Sequence, residues 1–167
     1  MGPMIETILA EMDQEAQATR RVLERVPADK IGWKPHEKSM TLGALALHLA
    51  KIPGAMAGVM LNDSLEMSSF DVPSPTSAAE ILPAFKESIT SARKIIGGFD
   101  NQKVMGNWKL TKNGKDLLVL PRIAALRFLL LNHWYHHRGQ LTVYLRMLNV
   151  PVPSIYGPSA DENPFGS

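Results

Sequence analysis

The chain has 167 residues, 45% of them hydrophobic, and a formal charge of +2, enough for one domain with a real core and short for two. Its basic residues are scattered and are not interleaved with aromatic side chains, so nothing in the charge pattern calls for nucleic acid. Cysteine is absent, which excludes a disulfide framework, a thiolate nucleophile and any zinc site built on sulfur.

The opening MGPMIETILAEMDQEA lacks the basic segment and long apolar core of a secretory signal, and a cytoplasmic location without a membrane partner is expected. A first helix is predicted from about Met4 to Arg25, with Ile5, Ile8, Leu9, Met12, Ala16 and Leu23 as its buried stripe. Pro27 ends it. A loop through Trp33, Pro35 and His36 follows. Thr41 can cap a second helix, along which Leu45, His48, Ile52, Met56 and Val59 recur at helical spacing. Pro53 removes a donor inside that helix and predicts a bend. Residues 62–75, mixed in character and rich in Ser and Pro, read as loop.

Ser77 and Glu80 have the spacing of a capping box for a third helix, whose core face is Ile81, Phe85, Ile89, Ala92 and Ile96. Gly97-Gly98 stops it. Residues 101–120 break the helical pattern and predict a short irregular or hairpin insertion turning at Asn113-Gly114. A fourth helix runs from Pro121 or Arg122 to Leu148, with Leu126, Leu130, His133, His137, Tyr144 and Leu148 facing inward. Its apolar part, Ile123 to Leu131, is too short to span a bilayer. The tail keeps Ile155, Tyr156 and Phe165, which can pack back on the domain. Long amphipathic helices bury their stripes most simply as a four-helix bundle, here a single all-α domain over residues 1–167 with an ordered C-terminal tail.

The chemistry lies in the histidines. His133 and His137 are four apart on one predicted helix, so both rings can turn toward one point. His48 stands alone in another apolar helix. By itself it also fits a core imidazole bonded to a carbonyl. Two imidazoles from one helix and one from a neighbour can hold a divalent ion and leave one position open, a geometry suited to Lewis-acid chemistry. His136 is about a hundred degrees from His137 around the helix and should point elsewhere; nothing locates His36. Gln140 and Asn132 are candidate acceptors for the outer nitrogens of the histidine rings. Asp13 and Glu15 are conceivable proton carriers, with surface exposure the simpler expectation. Arg138 fits a surface ion pair or a carboxylate anchor, and Gly139 fits a close helix approach. Trp33, Trp108, Trp134 and Tyr135 fit either a pocket lining or core packing.

Ser39-Met40-Thr41-Leu42-Gly43 leading into His48-Leu49-Ala50, together with His133-Trp134-Tyr135-His136-His137-Arg138-Gly139-Gln140, resembles the DinB-like superfamily over nearly the whole chain. The resemblance implies an up-up-down-down bundle, a homodimer, and one divalent metal, often nickel or zinc, on His48, His133 and His137. It also implies kinship with transferases and isomerases that use small thiols. The expected function is therefore a metal-dependent enzyme, a small-thiol S-transferase acting on an electrophilic small molecule with a low-molecular-weight thiol cosubstrate. Metal-dependent hydrolysis through a bound water and a non-enzymatic metal-binding structural or stress-response role are the alternatives.

Overall fold

The structure, a computed structural model, describes residues 2–67 and 72–166. Long helices carry an all-α core, and a small mixed sheet is inserted before the last of them. Helix α1 spans Pro3–Leu23 and starts with proline in its first turn. Its buried positions are Ile5, Ile8, Met12, Glu15, Thr19, Val22 and Leu23, an alternation of three and four with one closing neighbour. The expected stripe was apolar throughout. The observed one passes through Glu15 and Thr19, while Leu9 and Ala16 are only half-buried.

Helix α2 (Leu42–Val59) begins at Thr41 as expected, with the Thr41 Oγ1 accepting the Ala44 N–H at 3.2 Å. The preceding loop closes over this end. Leu42 N–H donates to the Trp33 carbonyl at 2.7 Å and Gly43 N–H to the Ile31 carbonyl at 2.9 Å. A Cβ on Gly43 would lie 3.0 Å from both the Cβ and the carbonyl oxygen of Ile31, so the loop can sit this close only over glycine. α2 is apolar on nearly all sides because it is covered on nearly all sides, with α3 (Ile81–Gly97) as its most extensive neighbour. At Pro53 the Ser88 hydroxyl of α3 accepts from Gly54 N–H at 2.8 Å and lies 3.2 Å from the Lys51 carbonyl. Ser88 thus serves the stretch of α2 where proline deletes a donor.

The Ser77–Glu80 capping box is present, although it opens a short 3₁₀ turn, Ala78–Glu80, ahead of α3. The third connection holds more structure than a hairpin. A five-residue helix α4 (Asn101–Met105) is capped by Asp100 and leads into strand β2 (Asn107–Lys112). Strand β3 (Lys115–Pro121) returns antiparallel to β2 through Asn113 and Gly114, both at positive φ (52° and 74°), the pair of left-handed residues a tight hairpin turn needs. Strand β1 (Ser64–Glu66) adds on the other side of β2, parallel to it. β1 falls in a segment expected to be loop, whose centre lies outside the described residues.

Arg122 fastens this insertion to the core. Its guanidinium is 1% exposed and reaches the carbonyls of Met60, Asn62 and Lys103 and the carboxylate of Asp63. Two of those carbonyls lie just beyond the end of α2, where unpaired acceptors attract a cation. From Arg122 the last helix runs as one α-turn, α5 (Arg122–Ala125), a π-helical stretch over Leu126–Asn132, and α6 (His133–Met147). Leu126, Leu130, Trp134 and Arg138 are all buried at intervals of four. In an α-helix each such step overshoots by roughly 40°. The wider π turns take up that drift and keep the stripe on the core.

Candidate metal centre

α2 and α6 pack side by side, and His48 from the first meets His133 and His137 from the second. His133 Nε2 lies 3.4 Å from His48 Nε2 and 2.8 Å from His137 Nε2. One nitrogen from each of the three rings falls within 4.8 Å of the others, and all three side chains are half-buried. Nitrogens about 2.0–2.1 Å from a common zinc ion would be separated by roughly 3 Å at its usual angles, so this spacing suits a single ion. Among the described residues the donor set is three imidazoles, with neither cysteine nor carboxylate in the cluster.

Burial pushes all three imidazoles toward their neutral, metal-binding form. For His48 the loss of solvent comes first and the charge of His133 second. For His133 burial again leads, opposed by a hydrogen-bonding contact with the Leu129 main chain. His137 is pushed down to about 4, by burial first, with Gln140 acting in the opposite sense and the charges of His133, His48 and His136 adding to the depression. The Gln140 Oε1 lies 2.7 Å from His137 Nδ1, which turns Nε2 toward the cluster.

The other candidates divide. His136 is exposed, its ring centroid 4.9 Å from that of His137, and stays outside the cluster. His36 is exposed and accepts the Lys38 N–H at 3.1 Å. Asn132 is exposed and makes no hydrogen bond to the histidines among the described residues. Asp13 pairs with Arg93 at 2.9 Å. Trp108 and Trp134 are core residues, and Trp33 sits edge-on to Tyr144 with ring centroids 5.6 Å apart.

Four expectations are corrected. Arg138 is neither a surface residue nor an anchor for an outside carboxylate: it is buried and paired with Glu15 at 2.6 Å. Glu15 is correspondingly buried rather than exposed. Both lie where α1 and α6 meet, because Arg138 shares the core-facing side of α6 with Trp134, Leu141 and Leu145. The pair is extended by Thr19 Oγ1 at 3.2 Å from Arg138 and by the Tyr156 hydroxyl, which bonds to both partners. The rings of Tyr135 and Tyr156 lie 5.2 and 5.1 Å from the guanidinium carbon. Gly139 is exposed with nothing within 4 Å of an added Cβ, so no helix approaches it. Phe165 is exposed, whereas Ile155 packs against the core as expected, and the tail is also held by ion pairs of Arg21 and Arg25 with Glu162 and of Arg146 with Asp161.

The family model described as DinB family matches residues 1–164. An uncharacterized protein of Bacillus subtilis strain 168, YrdA, is 26% identical over 165 residues, 97% of this chain and 93% of its own length. A crystal structure of a DinB-like protein from Bacillus cereus ATCC 10987 superposes with a TM-score of 0.68 at 23% identity, covering 90% of this chain and 97% of its own. The crystal structure of another DinB-like protein, YjoA of Bacillus subtilis, gives 0.66 at 19% identity, covering 89% and 97%. These two likenesses are of fold.

Proposed function

We propose that this chain, which belongs to the DinB family, is a metal-dependent enzyme that moves the sulfur of a small thiol onto an electrophilic small molecule. In this proposal His48, His133 and His137 hold one divalent ion, nickel or zinc. The observation that carries it is the cluster itself: three half-buried imidazoles, biased to the neutral state, with converging nitrogens. A structural zinc site normally closes its shell with four protein ligands, whereas three leave a place for a reactant. A divalent ion held there supplies Lewis acidity and lowers the pKa of a bound thiol or water.

The chain's own contribution follows from the surroundings. Neutral ligands leave the ion's charge uncompensated, which favours an anionic sulfur over a neutral one. Gln140 fixes the ring of His137, and all three imidazoles are half-buried. In the transfer, the sulfur–carbon bond forms as the thiol proton leaves to solvent and the electrophile's leaving group departs with its electron pair. The proposed working form is a cytoplasmic homodimer with its long helices in an up-up-down-down four-helix bundle. Exposed Val143 and Met147, which follow the open Gly139 along α6, offer a face for the second copy.

The test is metal titration followed by turnover. Wild type should bind one equivalent of zinc or nickel, and His48→Ala and His137→Ala should each weaken binding by at least tenfold. The reconstituted protein is then assayed with several small thiols and electrophiles beside ester and amide substrates. Thiol-dependent product lost in both variants supports transfer. Thiol-independent ester or amide cleavage replaces transfer by hydrolysis, and a filled, accessible site with no turnover favours a binding role.

A further inference from the structure

The stretch of helix just before His133 is π-helical, and it ends on the ligand itself. In an α-helix the His133 N–H would donate to the Leu129 carbonyl, four residues back. Here it donates to Leu130 instead. The His133 ring uses Nε2 toward His48 and His137, which leaves Nδ1 as the nitrogen that can meet the Leu129 main chain. His137 has its own acceptor in Gln140, whereas no Nδ1 hydrogen bond of His48 or of His133 is among those described; at His133 the Leu129 main chain is the neighbouring acceptor. Short π-helical insertions recur at functional sites, where they re-aim a side chain that a regular helix would misplace.

We propose that the π-helical stretch is the positioning device of His133: it frees the Leu129 carbonyl from the backbone ladder so that it can accept from His133 Nδ1–H and aim Nε2 at the ion. Leu129 acts here through its main chain, as Gln140 acts through its side chain for His137. The two α6 ligands are thereby oriented from the same helix, one by each kind of acceptor, while His48 relies on packing within α2. The inference rests on the metal-site reading above. It deepens that reading by assigning the outer partner of a second ligand.

The readout is imidazole proton exchange by NMR in zinc-loaded, 15N-labelled protein, which needs no activity. The Nδ1–H of His133 and of His137 should each exchange at least tenfold more slowly than that of His48. Deleting Phe128, an exposed residue of the π stretch, should return the segment to α-helix and give the Leu129 carbonyl back to His133 N–H. In that variant His133 should lose its protection, His137 should keep it, and zinc affinity should fall about tenfold or more. Phe128→Ala, which keeps the chain length, should change neither. If the deletion variant does not fold, the wild-type exchange rates decide alone. Zinc bound through all three Nε2 atoms with His133 Nδ1–H no better protected than that of His48 overturns the positioning role and leaves the metal site standing. Failure of zinc to bind the three histidines removes both.

Discussion

Replacing Arg138 with methionine separates the fold's needs from those of the candidate metal site. Arg138 and Glu15 are 2% and 8% exposed at the side chain and 2.6 Å apart, so neither charge has solvent to fall back on. Methionine keeps most of the apolar stem, so little of the loss comes from packing. What it removes is the partner of a buried carboxylate, which costs about 3–5 kcal/mol. The lost contacts with two tyrosine rings add up to about 2 kcal/mol. A chain of this size should then lose roughly 10–20 °C in Tm, taking about 2–4 °C per kcal/mol. Urea denaturation of the metal-free proteins measures the difference through the midpoint at constant m. Adding Glu15→Leu should restore most of the loss, since a buried pair exchanged for apolar groups is often close to neutral. Zinc affinity of the folded variant should be unchanged, because Arg138 faces α1 and Glu15 rather than the triad. A single-variant cost below about 1 kcal/mol would refute the assignment of a buried, mutually dependent pair.

Three other perturbations address the site and the tail. Gln140→Leu removes the acceptor held 2.7 Å from His137 Nδ1 and should weaken zinc binding about 10- to 100-fold with little change in melting, as isothermal titration would show. The metal-free protein should lose stability as pH falls from about 6.5 toward 4. The three histidines have folded pKa values below the unfolded one, His137 near 4, so the unfolded chain takes up protons first. Chemical denaturation at pH 7, 6 and 5 should show that slope, and a triple alanine variant of the triad should flatten it. In the tail, Glu162→Gln discharges the carboxylate shared by Arg21 and Arg25. It should speed amide exchange at Ser154, whose N–H bonds to that carboxylate, without altering metal affinity.

Helix starts were legible because capping is local chemistry. Thr41 and the Ser77–Glu80 pair act within one turn, and both do what their spacing implies. The Asn113-Gly114 turn was legible for the same reason, since two residues with positive φ are needed there and these two types tolerate it. Strand β1 was not, because its three residues acquire strand character only by pairing with β2, more than forty residues away in sequence. The π stretch was hidden by its pattern. Positions 126, 130, 134 and 138 satisfy an i, i+4 search for an α-helix, and only the repetition of four without an intervening three betrays the wider turn.

The site divides along the same physical line. An i, i+4 histidine pair on a helix has its relative geometry set by the helix alone, so spacing is enough to pair His133 with His137. His48 needed the packing of α2 against α6, which periodicity does not supply and the family resemblance did. The Glu15–Arg138 pair failed for the opposite reason. A charged residue in an otherwise apolar stripe reads as exposed when its partner sits on another helix 123 positions away. The signal within the chain is positional: Glu15 lies three residues after Met12 and seven before Val22, on the same face as both, and Arg138 lies four after Trp134. Two inward-facing charges of opposite sign on different helices are better explained by each other than by two separate departures from the pattern. That rule joins α1 to α6 on charge and periodicity alone, and it places the pair with the fold's supports, apart from the cluster of His48, His133 and His137.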